Sequence, residues 1–156
     1  MGIEIERKFL IDFKKIDLYD KKIEIKQGYI LNSPEKVVRI RVADKDAFLT
    51  IKGKNEGASR PEFEYEIPYD NAIELLKFTD DRIIEKTRYI LKINNDIWEI
   101  DKFHGKNEGL VVAEIEIPSE DYDIELPEWI LKEVTSDTKY YNNNLIIHPY
   151  STWDNV

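Results

Sequence analysis

Charged and aliphatic residues alternate along most of this chain at the two-residue period of a β-strand. Near the N-terminus, Glu4, Glu6 and Lys8 fall on one face of an extended segment, and Ile3, Ile5 and Phe9 on the other. The same division predicts strands over 2–11, 23–31, 36–43, 46–53, 60–68, 85–93, 96–103 and 110–118, most of them bounded by Gly, Pro, Asn or Asp. Short turns such as Asp44-Lys45 and Asn94-Asn95 favour antiparallel hairpins. A helix is expected over Asp70–Thr79, with Asp70 as its cap and Ile73, Leu75 and Leu76 as its apolar stripe. After Pro127 the pattern is mixed: a short helix holding Trp129, Ile130 and Leu131, then a second from Ser136 to Leu145. No segment is rich enough in Pro, Gly or Ser to divide the chain, so one domain over 1–156 is expected.

Taken by parity, the charged faces carry Glu4, Glu6, Lys8, Arg39, Arg41, Lys52, Arg60, Glu62, Glu64, Lys86, Arg88, Glu99, Asp101, Glu114 and Glu116. The opposite faces carry residues such as Ile3, Ile5, Ile40, Ile51, Phe63, Trp98, Ile100 and Ile115. A sheet charged on one face and aliphatic on the other suggests a closed barrel with an ionic lumen. Helices and tail would cover its outside. The predicted fold is therefore mainly β within the α+β class: an eight-stranded antiparallel closed barrel flanked by a few helices and a C-terminal tail.

One five-residue string occurs twice, as Gly53-Lys54-Asn55-Glu56-Gly57 and Gly105-Lys106-Asn107-Glu108-Gly109. Each copy follows an alternating basic strand and leads to an acidic one ending in Ile-Pro. Either a favourable hairpin loop is used twice, or two like meanders pair into one barrel. The matching flanks favour the second.

Composition narrows the chemistry. Hydrophobic residues make up 42% and aromatics 12%, enough for a folded core despite 35% charged residues. With 23 Lys+Arg against 32 Asp+Glu the net charge is −9, which argues against nucleic-acid or anionic-membrane partners. The absence of cysteine removes disulfides and thiolate chemistry. No apolar run reaches membrane-spanning length, so a soluble cytoplasmic protein is the expectation. His104 and His148 stand far apart without ligand spacing and are not expected in catalysis. Trp98 falls on the apolar face and reads as packing; Trp129 and Trp153 read as core or lid packing before any role in stacking on a ligand.

Buried charges in such numbers are tolerable only around water, ions and a highly charged ligand. Arginine grips phosphate oxygens in pairs, and clustered carboxylates suit hard cations such as Mg²⁺ or Mn²⁺. Together they are the requirements of metal-assisted phosphoryl chemistry.

The ordered set Glu4-x-Glu6-x-Lys8, Gln27-Gly28-Tyr29, Arg39-x-Arg41, Lys52, Arg60-x-Glu62-x-Glu64, Lys86-x-Arg88-Tyr89, Trp98-Glu99-Ile100-Asp101 and Ala113-Glu114-Ile115-Glu116 resembles the CYTH domain, or triphosphate tunnel metalloenzymes. The resemblance runs on through Glu133-Val134-Thr135 to Lys139-Tyr140-Tyr141-Asn142, where that family often reads Arg-Tyr-Ser-Asn. It points towards the small bacterial inorganic triphosphatases. It implies cation ligation by Glu4, Glu6, Glu114 and Glu116, with Asp101 or Glu64 assisting. It implies triphosphate binding by Lys8, Arg39, Arg41, Lys52, Lys86 and Arg88, together with Arg60. Water activated by Mg²⁺ or Mn²⁺ would attack the terminal phosphorus, oriented by Glu62 or Glu64, with no protein nucleophile and with Lys8 close to the reaction. A homodimer is compatible with this reading. A class IV-type adenylyl cyclase and a thiamine or nucleoside triphosphatase are the enzymatic alternatives. A polyphosphate- or nucleotide-binding module is the non-enzymatic one.

Overall fold

The computed structural model describes residues 2–153; residue 1 and residues 154–156, which the expected domain also takes in, lie outside the described residues. Its strands are β1 (Ile3–Ile11), β2 (Lys21–Asn32), β3 (Val37–Ala43), β4 (Asp46–Lys52), β5 (Ser59–Glu66), β6 (Ile83–Ile93), β7 (Asp96–Phe103), β8 (Val111–Glu116) and β9 (Ile130–Glu133). The order around the sheet is β5-β4-β3-β2-β6-β7-β8-β1, every neighbour pair is antiparallel, and β5 pairs back to β1 through Glu4 and Arg60. That last pairing closes an eight-stranded barrel, as the alternation predicts. Closure leaves β1 with more length than β5 can cover, and β9 occupies the remainder beside Phe9, Leu10 and Ile11.

β9 corrects the expectation of a helix at Trp129–Leu131: Ile130 and Leu131 are extended, and Trp129 joins the core. The second tail helix also differs. It is broken into a 3₁₀ turn at Thr138–Tyr140 and the short α2 (Asn142–Leu145), because Tyr141 between them is extended. The helix expected from Asp70 is α1 (Tyr69–Leu76) followed by a 3₁₀ turn to Thr79. Pro68 sits at its N-cap and no side chain caps it, so Asp70 lies inside the first turn.

The interior is not ionic along its whole length. The lumen parity that carries Lys8, Arg39, Lys86, Asp101 and Glu114 continues one step further to Leu10, Val37, Ile84, Phe103 and Val112. Because neighbours are antiparallel, these apolar residues gather at one end of the barrel. There they pack with Tyr29, and the tail seals them with Val134, Tyr140 and Leu145. The lumen is thus a charged chamber above an apolar plug.

Outside, Phe9, Trp98, Ile100, Ile115 and Trp129 form one cluster beneath the segment before β9, with Trp98 fully buried. A second cluster packs Ile40, Val42 and Ala47 under Ala72 and Leu76 of α1. The cover stops short of the remaining strands: Ile3, Ile51, Phe63 and Tyr65 are exposed, contrary to the expectation of a fully clad exterior.

The repeated five-residue string does not yield two like halves that pair directly. The meanders β3–β5 and β6–β8 are kept apart by β2 on one side and β1 on the other. The loops also differ. The first copy ends in a bridge between Glu56 and Ser59, whereas the second opens with a 3₁₀ turn at Gly105–Asn107. Gly105 needs positive φ and its counterpart Gly53 does not.

Gly28 on β2 faces the turn after α1, where an added Cβ would stand 2.6–2.9 Å from the Thr79 side chain. Thr79 is buried and held by its hydroxyl, which donates to the Leu76 carbonyl at 2.6 Å. Gly28→Ala is therefore expected to lower stability by about 1–3 kcal/mol through overpacking. Equilibrium urea unfolding checks this, and an unchanged midpoint would show that the turn moves away freely.

Candidate active site

Strand register sets the charged side chains beside one another along the chamber wall. Lys8 lies opposite Glu114, Lys52 opposite Glu62, Arg88 opposite Asp101 and Glu4 opposite Arg60. Two pairs break the rule, because Glu6 faces Glu116 and Glu99 faces Glu114. Like charges directly opposite destabilise a sheet. These positions therefore mark a place where the fold tolerates excess negative charge.

The contacts follow the register. Lys8 is bonded to Glu114. Lys52 Nζ lies 2.8 Å from Glu4 Oε1 and 3.5 Å from Glu62 Oε2. Arg39 Nη2 donates to Thr50 Oγ1 at 3.1 Å and reaches Glu64 at 3.5 Å, while Thr50 donates to Glu64 at 3.0 Å. Among the described residues, the Nε of Arg39 is buried without a partner. Arg88 grips Asp101 bidentately at 2.7 and 2.9 Å and also approaches Glu99 and Glu114. Lys86 Nζ completes the group at 2.7 Å from Asp101.

Arg41 differs. Among the described residues it has no carboxylate within 4.0 Å; its Nε donates to Gln27 Oε1 at 2.9 Å. Burial, and then Arg39 and Arg88, pull its guanidinium down to about 10. A site that costs a cation this much is short of negative charge and suited to an anion. Arg60 stands at the opening, where it donates to the Gly53 carbonyl at 2.8 Å. Asn55, Gly57 and Ala58 border the chamber beside it, with Tyr141, Asn142 and Asn143 of the tail also on its edge.

The carboxylates present the reverse imbalance. Oxygens of Glu6, Glu99 and Glu114 all lie within 4.8 Å of one another. Burial, and then Glu114 and Glu4, push Glu6 up to about 8, although Lys8 and Lys52 oppose the rise. Glu114 itself is held below the usual carboxylate range: Lys8 and its other cationic neighbours overcome the opposing effect of burial. Burial, and then Glu4 and Glu62, raise Glu116. Three converging oxygen donors, one of them strained towards its neutral form, fit a hard divalent cation.

The structure brings Glu4, Glu6, Arg39, Arg41, Lys52, Glu62, Glu64, Lys86, Arg88, Glu114 and Glu116 onto one cavity of about 150 Å³. Lys8 and Arg60 join through its opening. Asp101 stands apart from that wall, 2% exposed, with both oxygens taken by Arg88 and Lys86. Glu99 is beside Glu6 and Glu114, where register rather than composition would have placed it. Gln27, fully buried opposite Arg41, stood in the sequence within the Gln27-Gly28-Tyr29 motif without a role assigned to it. Neither His104, which contacts Thr87 on the outer face, nor His148, whose ring is tilted towards Trp153, reaches the chamber.

A sequence profile of the CYTH domain matches residues 2–150. The chain belongs to the CYTH domain family. This CYTH domain is 44% identical to an inorganic triphosphatase of Acetivibrio thermocellus, over 98% of this chain and 99% of that one. It is 34% identical to an inorganic triphosphatase of Nitrosomonas europaea, over 92% and 97%. The solved crystal structure of an inorganic triphosphatase superposes with a TM-score of 0.67 at 31% identity, covering 94% of this chain and 96% of the other.

Cation uptake should be linked to protons through Glu6. A carboxyl raised to about 8 keeps its proton at pH 7, so a cation must displace it. Calorimetry with Mn²⁺ in buffers of different ionisation enthalpy should show about one proton released per ion at pH 7 and almost none at pH 9.5. No release at pH 7 would remove Glu6 from the cation site. Stability carries the same sign. The folded-state value exceeds the unfolded 4.5, so the unfolded chain ionises first and stability falls as pH rises from 4.5 through 8. Glu6→Gln lacks that loss and should be about 1–3 kcal/mol more stable than the parent at pH 9. Thermal unfolding at pH 9 reads the difference; a lower melting temperature for the variant would contradict it.

Proposed function

We propose that this chain is a divalent-cation-dependent inorganic triphosphatase that hydrolyses tripolyphosphate to pyrophosphate and phosphate. One observation carries the reading: the charged chamber occurs in a chain 44% identical over 98% of its length to a relative named for that activity. The tunnel domain takes in 1–156 and works in the cytoplasm. No described helix is long and apolar enough to cross a membrane.

Arg39, Arg41, Lys52 and Arg88 grip the oxygens of the phosphate chain, Lys86 and Lys8 add charge beneath it, and Arg60 receives it at the opening. Arg41 is best prepared, because a neutral amide holds it and no carboxylate must be displaced first. Arg39 exchanges its 3.5 Å contact with Glu64 for a phosphate oxygen, which also gives its orphaned Nε a partner. Glu6, Glu99 and Glu114, with Glu4 and Glu116 beside them, hold Mg²⁺ or Mn²⁺. When bound, the cation neutralises phosphate charge and lowers the pKa of water. Glu62 and Glu64 line the same wall and orient the attacking water, accepting its proton as the phosphoanhydride bond breaks. Burial raises Glu62 despite Lys52, which brings it closer to the range of a useful base.

Incubation with tripolyphosphate, thiamine triphosphate and ATP, each with Mg²⁺ or Mn²⁺, tests the reading by assay of free phosphate and cyclic AMP. Tripolyphosphate should be turned over fastest, with no cyclic AMP. Binding without turnover of any of them would make the chain a polyphosphate-binding module; cyclic AMP with pyrophosphate would make it a cyclase. Arg41→Ala should raise KM for tripolyphosphate by at least about tenfold, the worth of a charge-assisted contact. A KM equal to that of the parent would remove Arg41 from substrate binding.

A further inference from the structure

Lys86 lies at the boundary between the charged chamber and the apolar plug. Its side chain is fully buried, and its ammonium contacts Asp101 Oδ2 at 2.7 Å. That oxygen also accepts from Arg88 Nη2 at 2.9 Å, so the barrel wall gives the ammonium one shared acceptor, together with the Phe103 ring 5.4 Å away. An ammonium on a four-carbon stem has three rotatable donors, and one shared contact fixes its distance without fixing its direction. The second contact comes from the tail: Lys86 Nζ donates to Asn142 Oδ1 at 2.9 Å.

The amide of Asn142 can face only one way there. Its neighbours, Lys86 Nζ and Gln27 Nε2 at 3.5 Å, are both donors, so the oxygen must point to them. The backbone that carries it is fixed on three sides. Tyr141 donates through its hydroxyl to the Thr135 carbonyl at 2.9 Å. Asn143 and Asn32 exchange bonds of 2.8 and 3.0 Å, and Leu145 is fully buried in the plug. A carboxylate at this place would add a second negative charge to that of Asp101, whereas a neutral amide orients the ammonium without further offsetting its charge.

We propose that Asn142 is a positioning residue for Lys86, fixing the ammonium so that its remaining N–H meets a phosphate oxygen, and that the C-terminal tail thereby sets the affinity for the phosphate chain. This rests on the reading of Lys86 as a substrate contact.

A double-mutant cycle tests it through the affinity for tripolyphosphate, measured by calorimetry without divalent cation, in the parent, Asn142→Leu, Lys86→Gln and the double variant. Asn142→Leu should weaken binding by about tenfold in the parent and by less than about twofold in the Lys86→Gln background, because the two act as one unit. Equal weakening in both backgrounds would assign Asn142 to packing alone and overturn the proposal. Should Asn142→Leu fail to fold, Asn142→Ala enters the same cycle. Coupled binding without turnover by the parent would sustain the proposal and sink the triphosphatase reading. Additive effects in a parent that does turn over tripolyphosphate would sink the proposal alone. A parent that binds no tripolyphosphate either without or with Mn²⁺ would end both.

Discussion

Charges taken out of water inside a barrel must balance one another at short range, and in this protein strand pairing enforces that balance. Register sets several lumen charges beside an opposite charge on the neighbouring strand, so Lys8 meets Glu114 and Arg88 meets Asp101. An unpaired buried ion costs several kcal/mol in order of magnitude, far more than any one surface contact returns. The chamber therefore exists only because closure between β1 and β5 brings the two halves of the charge set together. Two imbalances remain after pairing. Among the described residues neither Arg41 nor Glu6 has an opposite charge within 4.0 Å, and both are pushed towards neutrality. Those two defects have opposite sign, which is the combination that an anion and a divalent cation entering together would relieve.

The tail has two parts with different physical roles. Val134, Tyr140 and Leu145 supply apolar bulk that closes one end of the barrel against water. Tyr141, Asn142 and Asn143 are polar and border the chamber, so the same short segment is both seal and wall. Such economy explains why α2 is so short: its polar start must touch Lys86 while Leu145 stays within the plug.

Period-two alternation made the barrel and most of its charged wall legible, because strand parity is a rigid geometric rule and Glu-x-Glu, Arg-x-Arg and Lys-x-Arg obey it. The same rule hid the plug. Leu10, Val37, Ile84, Phe103 and Val112 share the charged parity, yet each lies at or one residue from an end of its strand and reads as ordinary end packing. Glu99 was visible on the right face, but its place beside Glu114 depends on which strands are neighbours, which alternation does not specify. Asp101 shows the converse, since the bidentate hold of Arg88 depends on rotamers and depth that no pattern encodes. The tail was least legible. Ile130–Glu133 pairs only because β1 outruns β5, a tertiary fact that overrides the local helical look of Trp129 to Leu131.

The chamber's claim to be a joint anion and cation site meets its most direct test in crystals grown with Mn²⁺ and tripolyphosphate. An anomalous difference map should place manganese inside the barrel within bonding distance of Glu6 and Glu114, with phosphate density running along Arg39, Arg41 and Arg88. Manganese confined to the outer surface, with no phosphate density in the lumen, would contradict it.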